Sequence, residues 1–310
     1  MNNYAIISDT TCDLNEELRK RFKMDGYMYS HITLPGGKEL AAKLDWDFMN
    51  KADFYTSLKA RPNDYHTAPP SAEEMVSYMG EILKNGKDVL AISLSSGISV
   101  SYNIMLNAKK ILQEKYPERK ICVVDSKKYS AALGLLIIKA CELRDKGLSI
   151  EDNAKTLDSI KYSMHQMGTL DDLSFVAAKG RISKSKAFMG TLIGIKPLGE
   201  LGPEGMTTVL AKVKGYDKVY KATIEYIKKT IVEPEKQIIL VANTMRESQA
   251  KILTELIKEQ IKPKEVIIIE AYAPSGINMG PGLVAAYYFG KPITDLKAET
   301  EILKSITDKL

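Results

Sequence analysis

The chain has 310 residues, 45% hydrophobic and 27% charged, the balance of an ordinary water-soluble protein with room for two domains of about 150 residues. No apolar run approaches the roughly 18 residues of a membrane-spanning helix and the first residues enter a strand directly, so a cytoplasmic protein without leader or anchor is expected. The net charge of +5 is spread over short lysine groups, which argues against nucleic acid as a partner, while three cysteines (Cys12, Cys122, Cys141) and three histidines (His31, His66, His165) are too few and scattered for a disulfide framework or a metal site.

In chain order, Tyr4–Ser8 predicts a short buried strand ending in the polar turn Asp9–Asp13, and Tyr27–Leu34 alternates as an antiparallel or edge strand does. Glu73–Lys84 is read as a helix. Val89–Leu94 and Ile121–Asp125 are near-continuous apolar runs, the pattern of parallel strands buried on both faces. Between them, Val100–Lys115 sets Ile104, Met105, Ala108, Ile111 and Leu112 on one helical stripe, and Ala131–Lys146 predicts a further helix closed by Gly147. Strands and helices alternating with right-handed crossovers give a parallel α/β sheet.

Past about Thr156 the pattern changes. Short helices are expected over Leu173–Ala178 and Ser185–Ile193, around a Lys179-Gly180-Arg181 turn. Lys196–Glu200 and Met206–Val213 suit a hairpin across residues 202–205. Helices follow over Tyr216–Ile231 and Glu247–Ile261, strands over Gln237–Ala242 and Glu265–Ala271, and an apolar helix over Leu283–Phe289. The expected class is α/β: a parallel α/β domain over 1–157 and a mixed α+β domain over 158–310.

Three segments stand out for chemistry. The first, SLSSGISVSY over 93–102, follows a buried strand and is expected to open a helix, where main-chain N–H groups and the helix dipole favour an anion. Ser95 and Ser96 add hydroxyls and Gly97 lets a ligand approach the main chain; plain N-capping by Ser96 or Ser99 explains one serine but not five hydroxyls in nine residues. The second, YHTAPPS over 65–71, is a proline-stiffened loop with the Thr67 hydroxyl just before the prolines, or simply a loop and helix cap. The third, SGINMGPG over 275–282, is a glycine-rich turn into the expected Leu283–Phe289 helix. Neither a Walker A pattern nor G-x-G-x-x-G occurs, and G-x-S-x-G is absent, so Ser96 has no evident base unless His66 folds against it.

In this order the segments resemble the DegV family, whose members include the fatty-acid-binding subunit of bacterial fatty acid kinase. ISDTTCDL over 7–14 is similar to the family's DST-x-DL turn. HTAPPS over 66–71 resembles its TSQPS loop, with Ala68 and Pro69 in place of Ser and Gln. SSGISVSY over 95–102 resembles its SSxLSGTY signature with Val100 where glycine is usual, and VDS over 124–126 the strand end that follows. Residues 170–197 resemble the segment ending GGRIS…G…L…IKP, Lys212–Lys214 its KVRG, and NMGPG over 278–282 its HxGPG.

The resemblance implies two α/β domains with an acyl tunnel running into the second, a long-chain fatty acid as ligand, no cofactor, and no catalysis by the chain itself. It implies that Thr67 and Ser96 hold the carboxylate, with Ser95, Gly97 and Asn278 beside them, and that Arg181 helps dock an ATP-dependent kinase subunit that makes the acyl phosphate. Transient contact with a membrane surface is compatible with that role. Asn278 replaces the family histidine, exchanging a charge-assisted donor for a neutral amide, a loss on the order of 1 kcal/mol. Each buried CH₂ contributes roughly 0.8 kcal/mol, so a chain of about 16 carbons has ample driving force to enter a dry tunnel. Phe175, Phe188, Met189, Leu192, Ile193 and Ile195 are candidates for its wall, or for plain core. The alternative is an acyl hydrolase or transferase using Ser96.

Overall fold

Residues 3–183 and 194–310 are described in the computed structural model, and they divide into two units. The first comprises Met1–Trp46, Asn63–Lys161 and Tyr272–Pro274; the second comprises Asp47–Pro62, Tyr162–Ala271 and Ser275–Leu310. The expected helix at Ser185–Ile193, with Phe188, Met189, Leu192 and Ile193, lies outside the described residues.

The first unit is built on β1 (Tyr4–Asp9), α1 (Glu16–Arg21) and β2 (Gly26–Met28), followed by β3 (His31–Leu34) and β4 (Lys38–Ala41). After α2 (Lys51–Ala60), which belongs to the second unit, come β5 (His66–Ala68), α3 (Ala72–Lys84), β6 (Asp88–Ser93), α4 (Ser101–Lys115), β7 (Ile121–Asp125), α5 (Ser130–Asp145) and α6 (Ile150–Ile160). The main sheet has the order β2-β1-β6-β7 and is parallel throughout, as the continuous apolar runs predict. Alternation sends Ala5, Ile7, Val89 and Ala91 against Met75, Met79 and Leu83 of α3 and Met105, Ala108 and Leu112 of α4. α5 and α6 pack on β1, β6 and β7; α5 is buried almost all round, and Gly147 (φ +90°) follows it in the left-handed conformation that closes helices.

The segment expected as one strand over Tyr27–Leu34 is two. β2 is the edge of the parallel sheet, whereas β3 is the middle of a separate antiparallel sheet, β4-β3-β5. The break falls at Ser30, whose N–H donates to Thr10 Oγ1 (3.0 Å) and whose carbonyl accepts from Ala42 N (2.8 Å), so tertiary partners replace the ladder there.

The second unit continues with β8 (Met164–Leu170), α7 (Ser174–Ala178), the hairpin β9 (Ile195–Leu201) and β10 (Thr207–Lys214), then α8 (Tyr216–Thr230), β11 (Ile238–Asn243), α9 (Glu247–Gln260), β12 (Glu265–Glu270), α10 (Ala273–Met279, which belongs here from Ser275 on), β13 (Leu283–Phe289) and α11 (Lys297–Thr307). Its six-stranded sheet runs β10-β9-β8-β13-β11-β12 and is mixed, with β11 and β12 parallel and the other neighbours antiparallel. α8, α9 and α11 cover one face through Ile224, Ile227, Leu253, Ile257, Leu303 and Ile306.

Leu283–Phe289 is therefore not a helix. It is a strand hydrogen-bonded on both sides, to β8 and to β11, with six of its seven residues buried. Seven apolar residues between two glycines carry no period that separates a buried strand from a buried helix. Its shortness and its β-branched and aromatic members, Val284, Tyr287, Tyr288 and Phe289, point to the strand.

Candidate functional site

In the four-stranded sheet β1 leads outward to β2 and β6 leads the other way to β7, so the order reverses between β1 and β6. Ligands of open α/β sheets bind beyond the carboxyl ends of the strands at such a reversal. The turns after β1, β6 and β7 all lie at that end, and they carry Asp9–Asp13, Ser95–Gly97 and Ser126–Lys128. The parallel register opposes Ser93 to Asp125, so the β6 and β7 turns start level with each other.

The five serines of the β6 turn divide their work. Ser93 Oγ donates to Leu94 O (2.8 Å), Ser95 Oγ accepts from Gly97 N (3.1 Å), and the Ser99 and Ser101 hydroxyls bond each other (2.8 Å). These shape the turn. Ser96 meets two ionisable side chains: its Oγ donates to Asp125 Oδ2 (2.6 Å) and accepts from Lys127 Nζ (2.7 Å), and the ammonium lies 3.1 Å from the same carboxylate oxygen. Asp125 Oδ1 accepts from the main-chain N–H of Ser96 (3.1 Å) and of Lys127 (3.2 Å). Burial alone would raise the Asp125 carboxyl, but these donors outweigh it and hold the group below the usual carboxylate range.

The segment leads into the helix as expected: α4 starts at Ser101, although Val100 at its N-cap offers no side-chain cap. One expectation is corrected. The N–H groups of residues 96–99 are not available to an anion, because Ser96 N donates to Asp125 Oδ1, Gly97 N to Ser95 Oγ, and Ile98 N and Ser99 N to Ser95 O (3.2 and 3.1 Å). What the turn offers a carboxylate is the Ser96 hydroxyl and the Lys127 ammonium. No left-handed backbone calls for Gly97, so its contribution is the missing side chain.

In the β1 turn, Asp9 Oδ1 accepts from Thr11 N (2.8 Å) and the Thr11 hydroxyl, while Oδ2 is buried without a hydrogen-bond partner among the described residues. Burial raises the Asp9 carboxyl above its ordinary value, opposed by the two Thr11 donors. Asp13 accepts from Ser130 Oγ (2.5 Å) and Tyr272 N (2.9 Å).

Thr67 stands not in a loop but in the middle of β5, opposite Ile32, and is half-buried. Ser71 is the N-cap of α3 in a reciprocal capping box with Glu74, so the serine of that motif serves the helix. His66 is exposed and the Ser96 hydroxyl has Asp125 and Lys127 as its partners; His31 pairs with Glu74 (2.9 Å).

Asn278 and Arg181 belong to the second unit. Asn278 is half-buried on α10, and the turn beyond it enters β13, so the anion site expected at a helix start there does not exist. The glycines of that turn serve packing. Gly280 (φ +72°) would place a Cβ 2.4 Å from the Phe175 ring, and Gly282 (φ +111°) one 2.6 Å from Asp171 Cβ. Asp171 is gripped by Lys196, by Tyr216 Oη (2.9 Å) and by Arg246 (2.6 Å to Nη2), which outweigh its burial and hold it below the carboxylate range. The Arg181 guanidinium donates to the carbonyl of Lys179, the residue that closes α7.

Asp125 and Lys127 are the site residues that sequence reasoning missed. A signal was present: once Val89–Leu94 and Ile121–Asp125 are read as adjacent parallel strands, the residues just past their ends must be neighbours. No group of three or more His, Cys, Asp or Glu suited to a metal ion occurs among the described residues.

The family model described as "Uncharacterised protein, DegV family" matches residues 3–291. The chain belongs to the DegV family. A DegV domain-containing protein of Clostridium perfringens is 29% identical over 292 residues, covering 94% of this chain and 98% of the relative. Among solved structures, a DegV family protein of Ruminococcus gnavus with vaccenic acid superposes with a TM-score of 0.81 at 20% identity, over 93% of this chain and 100% of that one. The fatty acid kinase B3 protein of Streptococcus pneumoniae, loaded with linoleic acid, gives 0.78 at 20% identity over 93% and 100%. These likenesses establish the DegV fold, a parallel sheet with a separate mixed sheet, for this chain. No helix among the described residues is long and apolar enough to cross a membrane.

Proposed function

We propose that this DegV protein binds a long-chain fatty acid and presents its carboxylate to a partner kinase for acyl-phosphate formation, without catalysing the transfer itself. The observation that carries the reading is the Ser96 hydroxyl, held between Lys127 and Asp125 at the strand-order reversal of the parallel sheet, where a carboxylate finds a hydroxyl and an ammonium. The fatty acids seen in neighbours of the same fold support it. The first test is mass spectrometry of lipid extracted from the purified protein, which is expected to arrive loaded with a fatty acid; an empty protein that takes up none from a fatty-acid mixture ends the proposal. Thr67→Val combined with Ser96→Ala is expected to weaken fatty-acid binding at least tenfold, about 1.4 kcal/mol. Unchanged affinity in the double variant moves the head group elsewhere.

Turnover at Ser96 is the weaker reading. The neighbouring carboxylate is held in its ionised form and is a poor base, Lys127 faces Ser96 as a donor, and the N–H groups of residues 96–99 are used within the turn or on Asp125, which leaves them no part in an oxyanion site. A chromogenic acyl ester separates the two: hydrolysis lost in Ser96→Ala marks an enzyme.

A further inference from the structure

We propose that Lys127 is the positioning residue that makes the Ser96 hydroxyl a donor for an ionised carboxylate, and thereby sets this turn's preference for a fatty acid over an uncharged chain of equal length. The proposal rests on the carrier reading and adds to it a residue that the motifs do not single out.

A serine hydroxyl has one proton, and that of Ser96 is directed at Asp125 Oδ2, 2.6 Å away. To hold a guest carboxylate the proton must swing away, and Asp125 must tolerate losing it. It can, because three other donors remain on that carboxylate: the N–H groups of Ser96 and Lys127 on Oδ1, and the Lys127 ammonium on Oδ2. The ammonium also keeps donating to Ser96 Oγ at 2.7 Å, which draws electron density from the O–H bond and strengthens it as a donor, as in any hydrogen-bonded chain. Its charge offsets that of Asp125, which would otherwise repel a second carboxylate at this place. Of the three ammonium donors, two are used on Ser96 and Asp125, and the third has no acceptor among the described residues.

The backbone agrees. Lys127 has φ +52°, a left-handed conformation that non-glycine residues adopt rarely and at a cost, and its side chain is only 23% exposed for a lysine. A solvated surface lysine needs neither feature. The rival account is a loop-closing ion pair between β7 and α5, and it makes a different prediction. Removal of Lys127 would then lower stability and leave ligand preference alone.

The experiment uses the full chain, stripped of lipid, with hexadecanoate and 1-hexadecanol as probes, and reads both dissociation constants beside the melting temperature. Lys127→Met is expected to weaken hexadecanoate at least tenfold and to leave hexadecanol within about twofold, so that the acid-to-alcohol ratio collapses; Lys127→Arg is expected to restore most of it. Should Lys127→Met fold poorly, Lys127→Gln keeps a donor without the charge and reads the same ratio. A ratio equal to that of the wild type, or affinities for both probes that fall together, overturns the role. A wild type that binds neither probe removes the carrier reading and this role with it, whereas a wild type that binds hexadecanoate and a ratio that survives Lys127→Met removes the role alone.

Discussion

Glu200→Ala is expected to destabilise the protein by about 3–5 kcal/mol, measured by denaturant unfolding at neutral pH, because it leaves a buried imidazolium without its counter-charge. Glu200 and His165 have fully buried side chains, with Oε2 2.7 Å from Nδ1. The other ring nitrogen, Nε2, lies 2.8 Å from the Lys291 carbonyl, so both nitrogens face acceptors and the ring is satisfied only as a doubly protonated cation. The carboxylate also accepts from Gln166 N (2.6 Å), Leu201 N (2.7 Å) and Tyr226 Oη (2.8 Å), and alanine would strand all of these donors as well. A cost below about 1 kcal/mol would mean that the pair is not ionised.

The same network predicts a pH dependence, separated from packing by Glu200→Gln. Burial alone would lower the His165 pKa, but the Glu200 charge and hydrogen bond and the Lys291 carbonyl raise it above the ordinary 6.5, with Glu299 adding in the same direction. Thr230 and the stacked Tyr288 ring complete the surroundings without charge. A histidine whose folded value is raised adds stability that is complete below its unfolded value and is lost as pH rises through the folded one. Wild-type stability should therefore carry a falling component from about pH 6.5 upward. Glutamine keeps the shape and the two main-chain hydrogen bonds but removes the charge, so that component should disappear. A slope that persists in Glu200→Gln belongs to another group.

This network shows how far the sequence could be read. Val89–Leu94 and Ile121–Asp125 are legible as parallel strands because a strand buried on both faces needs apolar residues at every position, and few other structures do. The hairpin of β9 and β10 is legible because residues 202–205 carry two glycines and a proline between strand-like runs. Leu283–Phe289 is less so, since its apolar run has no period, only its shortness and its β-branched and aromatic residues favour a strand, and its partners β8 and β11 are far away in the chain. His165 sits two residues into β8 and Glu200 near the end of β9, and only the antiparallel pairing of those strands, with Gly168 opposite Gly199, brings them together. The site divides in the same way. The serine-rich turn announces itself, but the partners of Ser96 stand 29 and 31 residues away and become visible only through the level ends of β6 and β7.

Under the proposed carrier role, Arg181→Ala is expected to keep its fold and a bound fatty acid while losing at least tenfold in acyl-phosphate formation when mixed with a partner kinase and ATP. A guanidinium carries five donors, and the contact to the Lys179 carbonyl uses one of them, which leaves the planar fork able to pair an acidic residue on a partner bidentately. Its neighbour is tuned alongside it: burial first, and then the Arg181 charge, hold the Lys179 ammonium below its usual range, the environment of two cations kept close together. The Lys179 contact also supports a purely local role, in which Arg181 closes the turn after α7 together with its own N–H on the Val176 carbonyl (2.8 Å). Under that role the alanine variant melts at a lower temperature and its folded fraction is phosphorylated normally. Arg181→Lys sharpens the choice, because a lysine keeps the charge and one donor to the turn but loses the fork, so docking predicts a yield well below wild type at an unchanged melting temperature. Melting temperature, retained lipid and acyl-phosphate yield, read on one preparation of each variant, decide between the roles, and normal yield from folded Arg181→Ala removes the arginine from the kinase interface.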